Sequence, residues 1–130
     1  MANAIGDVSL LGTNSSDNSF TYLCDSSMTV DDAGKPAALS AANTVHVAAN
    51  GEDIIGYIEQ VEDRELEGIK VATVTQIGFF KFKKLADDTV AVKDTIVGAG
   101  NGEVKKATTA APGNYVVEVG SDYVVARICR

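Results

Sequence analysis

Apolar residues in this chain recur in short runs with a two-residue period, and no stretch keeps the three-to-four-residue spacing of an amphipathic helix. From residue 21 onward, β-branched and aromatic runs alternate with Gly, Asn and Asp, the pattern of strands joined by tight turns. Residues 115–119 and 123–128 have matched lengths around Gly120, Ser121 and Asp122, which predicts an antiparallel hairpin. Residues 69–74 and 77–85 predict two more strands. In the second, alternation puts Phe80 and Phe82 on one face and Phe79, Lys81 and Lys83 on the other. Asn50-Gly51 between residues 44–47 and 54–58 predicts a hairpin with a type I′ turn, because Asn-Gly tolerates two positive φ angles. Asn101-Gly102 between residues 95–97 and 103–106 predicts another, with Gly98 and Gly100 making its loop longer and looser. In residues 61–68 four carboxylates, Glu62, Asp63, Glu65 and Glu67, surround Arg64 and Leu66; the segment is too short and acidic to bury a stripe and reads as a loop with at most one helical turn. Pro36 and Pro112 fall in connections dense in Ala, Gly, Asp and Thr, where a missing amide donor harms no ladder. The reading is all-β, with eight to ten short strands in a small β-barrel or a sandwich that hides its strand edges.

Residues 1–20 differ, being rich in Ala, Asn, Ser, Gly and Asp around the apolar group Ile5, Val8, Leu10 and Leu11. They are expected to form an N-terminal arm preceding a β domain over residues 21–130. Burying those four side chains supplies roughly 6–12 kcal/mol, whereas fixing the ~12 residues that carry them costs on the order of 12–24 kcal/mol. Side-chain burial alone does not order such an arm. The expectation is that it adds as a strand to the edge of a partner or of a neighbouring copy, where main-chain hydrogen bonds supplement the apolar contacts. The first residues lack a basic segment and a long apolar run, so no secretory leader is expected. No window approaches the ~20 apolar residues of a membrane span.

At 130 residues, with 45% hydrophobic and 22% charged positions, the chain suits one globular domain and not a fibrous or fully disordered one. Eleven basic against eighteen acidic residues give a net charge of −7, which opposes a polyanion and argues against nucleic acid as a partner. Chemistry is sparse. His46, the single histidine, stands between Val45 and Val47 in a strand pattern without a second imidazole or a carboxylate run beside it, and reads as a strand-surface residue. No serine lies in a nucleophile-elbow pattern. The acidic run around Arg64 lacks the spacing and central glycine of a calcium loop. The glycines at 98, 100 and 102 precede a strand pattern and not a helix, so they read as a flexible hairpin tip and not a phosphate cradle. Phe79, Phe80 and Phe82, interleaved with Lys81, Lys83 and Lys84, could stack bases. The net charge and the lack of a second Lys/aromatic strand favour a hydrophobic edge strand guarded by lysines. Cys24 and Cys129 form no metal-ligand pattern and read as two reduced, half-buried thiols, with a single bridge between them as the alternative. No catalytic, metal or cofactor residues are expected.

Taken in order, residues 45–47, the stretch 51–56, the Gly-Phe strand at 78–80, residues 92–97 with their glycine tip, residues 103–106 and the closing Val-rich hairpin resemble the capsid cement or head decoration proteins of tailed bacteriophages. The likeness covers roughly residues 40–130 and is carried by short strands and glycines. It implies a β-barrel or β-tulip domain on the outer surface of a phage head. It also implies the major capsid protein as partner, a homo-oligomer (a trimer ahead of a dimer), and an arm that orders on contact, here through Ile5, Val8, Leu10 and Leu11. It implies no cofactor and no membrane. The rival expectation is an OB-like or lectin-like module for oligonucleotide or glycan, and an enzyme ranks last.

Overall fold

The computed structural model describes residues 18–130. Ile5, Val8, Leu10 and Leu11 lie outside the described residues, and so does most of the expected arm; Ser19 and Phe20 already belong to the first strand. Ten strands follow one another: β1 Ser19–Cys24, β2 Pro36–Ala41, β3 Thr44–Val47, β4 Gly56–Arg64, β5 Ile69–Thr75, β6 Ile77–Lys84, β7 Ile96–Gly100, β8 Glu103–Lys106, β9 Asn114–Val119 and β10 Tyr123–Cys129. Among the described residues the only helical segments are two 3₁₀ turns, Val30–Asp32 and Glu65–Glu67.

The first five strands close into a barrel in the order β1-β3-β2-β4-β5, and the last five form a sheet in the order β7-β8-β6-β10-β9. These are two copies of one motif. In each, the first strand pairs parallel with the third and antiparallel with the fifth, the second with the third, and the fourth with the fifth, all antiparallel. The register agrees in detail. Tyr57 stands opposite Thr75 as Tyr115 stands opposite Arg127, and Ile58 opposite Val74 as Val116 opposite Ala126. A bulge follows at the same place in both, before Gln60↔Thr73 and Glu118↔Val125. The turn after the first strand also repeats. The Thr29 amide donates to Asp32 Oδ2 at 2.8 Å, and the Ala91 amide donates to Asp94 Oδ2 at 2.8 Å.

Two places distinguish the copies. In the barrel, β2 and β4 pair at Pro36↔Tyr57 and Ala37↔Gly56, closing the ring. In the second copy the ring stays open between β7 and β9, and the buried Asn114 spans the gap: its Oδ1 accepts from the Ile96 amide at 2.8 Å and its Nδ2 donates to the Ile96 carbonyl at 3.1 Å. The Val116 amide donates to the Asp94 carbonyl, and the Lys93 amide to the Val116 carbonyl, so the edge of β9 is engaged there as well. The second difference is the hairpin between the last two strands. Ten residues separate the paired Val61 and Ala72, but only four separate Val119 and Val124. The six extra residues of the barrel build the acidic tip around Leu66.

The barrel encloses Met28, Ala37, Val45, Ile55, Ile58, Val61, Ala72 and Val74. The second sheet covers a core of Phe82, Val90, Ile96, Val104, Val116, Val124, Ala126 and Ile128, completed by Ala38, Ala48 and Ile54 from the barrel side. Gly98 lets the copies approach, since a Cβ there would meet the Ala49 carbonyl oxygen at 2.5 Å and the Ala48 methyl at 2.7 Å.

The all-β class and the barrel expected from the pattern are present, as are the β9–β10 hairpin and the alternation of β6. Several local expectations change. Residues 44–47 and 54–58 do not form a hairpin, because β2 lies between β3 and β4; the Asn50-Gly51 turn instead docks on β7, the Gly51 amide donating to the Gly98 carbonyl at 2.8 Å and the Gly98 amide to the Glu52 carbonyl at 2.9 Å. Asn101 and Gly102, at φ 56° and 77°, make the tight two-residue turn between β7 and β8, so that tip is shorter than the glycines suggested. Pro36 opens a buried strand and not a connection; a first-strand position needs no amide donor. Residues 61–64 extend β4 and only Glu65–Glu67 turns. β6 is the central strand of its sheet and not an edge, because β8 and β10 flank it.

Candidate functional site

The outward side of the second sheet carries its most unusual chemistry. Pairing sets Phe79 of β6 opposite Arg127 of β10, and Arg127 opposite Tyr115 of β9, so an aromatic, a guanidinium and a second aromatic lie in one row across three strands. The Arg127 guanidinium sits 5.9 Å from the Phe79 ring centre. In the next rows, Lys81 stands opposite Val125, and Lys83 opposite Tyr123. The Lys81 ammonium lies 4.4 Å over the Tyr123 ring, within the range of a cation–π contact. Phe79 is 63% exposed, Tyr115 44%, Ile77 37% and Val117 36%, so apolar groups that a strand ordinarily buries face outward together. Carboxylates punctuate the face. Tyr123 donates its hydroxyl to Glu118 Oε2 at 2.7 Å, and that bond with the adjacent negative charge holds the phenol pKa above its ordinary value. Glu103 lies 3.7 Å from the Lys83 ammonium.

The same row in the barrel has different contents. Ser19 occupies the register position of Phe79, Thr75 that of Arg127, and Tyr57 that of Tyr115. Ser19 and Thr75 hydroxyls lie 2.9 Å apart, and Thr75 donates to Glu59 Oε2 at 3.0 Å. Tyr57 is covered within the chain: its ring stacks on Phe80 with centroids 4.9 Å apart and planes 10° apart, and tilts against Phe82 at 5.8 Å. One scaffold thus presents a hydroxyl row on one copy and an exposed aromatic–cation row on the other.

Charge divides the same way. Residues 18–76 hold three Lys/Arg and ten Asp/Glu, a net of −7, whereas residues 77–130 hold eight and six, a net of +2. The acidic tip concentrates part of the first: Arg64 lies 3.4 Å from Glu62 and 3.6 Å from Glu67, Asp63 and Glu65 have no cation among the described residues, and Leu66 is fully exposed there.

The sites weighed from sequence fall elsewhere. His46 is on β3, and its Nε2 lies 2.7 Å from Glu52 Oε1 without the alignment of a hydrogen bond; the same carboxylate oxygen accepts from the Ala49 amide at 2.8 Å. That carboxylate neighbour comes from the turn that docks on β7, so sequence spacing gave no sign of it. Cys24 is half-buried and burial raises its thiol pKa, while Cys129 is exposed and not half-buried as expected. Among the described residues no three His, Cys, Asp or Glu side chains gather where they could hold a metal ion, and no helix is long and apolar enough to cross a membrane. The second cation/aromatic strand whose lack in the linear pattern argued against base stacking is supplied by β9 and β10 together, through Tyr115, Tyr123 and Arg127. No model of a known protein family matches the chain, and neither does any curated protein.

Proposed function

We propose that the chain is a structural decoration protein of a tailed-phage head, a homo-oligomer that binds the outer surface of the major capsid protein and stiffens the shell. The observation that carries this reading is the outward row of Phe79, Arg127 and Tyr115 on a body whose strand edges are closed or capped. Contiguous exposed apolar and aromatic groups on a small soluble body mark a contact surface, and aromatic side chains with Arg are the residues that dominate such contacts. Ile5, Val8, Leu10 and Leu11 add a second apolar group for the shell or a neighbouring copy. Binding through several such footprints raises avidity without new chemistry. The test is co-sedimentation of the purified chain with undecorated heads, followed by heating. Bound protein and a raised rupture temperature are expected; heads that neither retain the chain nor gain resistance sink the reading.

A second reading is favoured by the same row: aromatic rings alternating with cations across three strands can stack bases and hold phosphates. Binding to single-stranded oligonucleotide that weakens steeply with salt would support it over the first.

A further inference from the structure

The two-copy architecture contains one contact made once that the register defines twice. Tyr57, on the barrel, stacks on Phe80 and touches Phe82 of the second sheet. By register, the counterpart of Tyr57 is Tyr115, and the counterpart of Phe80 is Phe20, since Phe20 pairs with Val74 as Phe80 pairs with Ala126. Both counterparts are uncovered: Tyr115 is 44% exposed and Phe20 50% exposed. Within one chain the barrel hands its tyrosine to the second sheet. The second sheet has an equivalent tyrosine to hand on, and the barrel has an equivalent phenylalanine to receive one.

We propose that the occupant of the outward face around Tyr115 is the barrel of a second copy of this chain, with Tyr115 of one copy stacking on Phe20 of the next as Tyr57 stacks on Phe80 within each. The contact is head-to-tail, so each copy gives one face and receives one, and the arrangement closes into a ring when the rotation allows. Charge favours this direction. Lys81, Lys83 and Arg127 flank the Tyr115 face on a half of net charge +2, and the receiving half carries −7. A face-to-face dimer through two second sheets would instead oppose like charges, which is costly across an interface. The Tyr57 contact is already made inside the chain, and among the described residues Tyr115 and Phe20 have no equivalent stacking partner. The inference rests on the reading above for self-association alone: it assigns the Tyr115 face to a neighbouring copy and leaves the shell to the remaining surface and the arm, so it stands separately from shell binding.

Sedimentation velocity of the full chain over a concentration series tests it. The wild type is expected to assemble beyond a monomer. Tyr115→Ser and Phe20→Ser should each weaken association by at least about tenfold, whereas Val92→Ser, at an exposed residue of the β6–β7 connection, should leave it unchanged. Lys81→Glu combined with Lys83→Glu leaves both rings of the proposed contact in place, reverses the charge beside Tyr115 and must weaken association too, which guards against a misfolded aromatic variant. The decisive arm mixes the Tyr115→Ser and Phe20→Ser proteins. Each retains the half-contact the other lacks, so the mixture should form a one-to-one dimer and nothing larger. A monomeric wild type, single variants that assemble like the wild type, or a mixture that yields no dimer would each overturn the proposal. A monomeric wild type that binds heads through Tyr115 would assign the face to the shell instead. Loss of head binding with self-association intact would count only against the decoration reading.

Discussion

In the barrel the ring closes through main-chain partners, with the Ile55 amide donating to the Ala37 carbonyl at 2.9 Å; at the matching place in the second sheet the side-chain amide of Asn114 reaches the Ile96 carbonyl instead. Both solutions deal with the same problem, since unpaired edge amides and carbonyls are costly to bury and invite misassociation when exposed. The barrel solves it by pairing and has its aromatic contact covered. The second sheet solves it with one side chain and an adjoining loop, and leaves an aromatic row uncovered. Duplication of a fold therefore does not duplicate its surface: the copy whose ring is held by a side chain is also the one whose outer face is built for contact.

Removing Phe82 should strain the difference most. It is the largest fully buried side chain among the described residues and belongs to the second core, so Phe82→Ala is expected to cost about 3–5 kcal/mol in urea unfolding. Amide exchange should show whether β6–β10 lose protection before β1–β5; simultaneous loss would make the two copies one cooperative unit. Asn114→Ala comes next. It leaves the Ile96 amide and carbonyl buried without partners, at about 1–3 kcal/mol each, so a loss of roughly 2–6 kcal/mol and faster exchange at Ile96 are expected. An unchanged midpoint would mean that water replaces the amide fully.

The barrel has an acid weakness of its own. Asp32 is buried, which raises its pKa, but the Lys35 ammonium at 2.7 Å and the Thr29 amide outweigh burial and hold it below the ordinary carboxylate value. A depressed folded-state pKa stabilises fully above the unfolded value of about 4 and loses that contribution as pH falls through the folded value. Melting temperature should therefore drop on acidification below about pH 4, and Asp32→Asn should flatten that limb of the profile. The smallest effect is expected at Leu66, whose side chain is fully exposed among the described residues: Leu66→Ser should change stability by no more than about 0.5 kcal/mol.

The strands that could be read from sequence are those whose alternation is strong and whose turns are local. β9 and β10 are matched Val/Tyr runs across three turn residues, and β6 sorts Phe80 and Phe82 from Phe79, Lys81 and Lys83 by simple alternation. β2 was hidden because half of its residues are alanines, which carry little strand preference; two of them are small because Ala37 faces the barrel core and Ala38 the second core. The Asn50-Gly51 signal was real as a turn but misread as a hairpin, since turn chemistry does not say which strand inserts between its neighbours. The motif repeat leaves few matched identities, among them Val45 with Val104, Tyr57 with Tyr115 and Val61 with Val119. It emerges only from register. For the same reason the row of Phe79, Arg127 and Tyr115 could not be foreseen: its members come from three strands and meet only once pairing is known.

Cys129 ends β10 opposite Ile77, at the margin of that row, while Cys24 is shielded at the end of β1 with its thiol made harder to ionise. Since the thiolate is the reactive form, a maleimide fluorophore added at neutral pH should attach to Cys129 well ahead of Cys24. The native chain thus carries its own reporter, whose emission or spin mobility tracks occupancy of the neighbouring surface without any engineered attachment point.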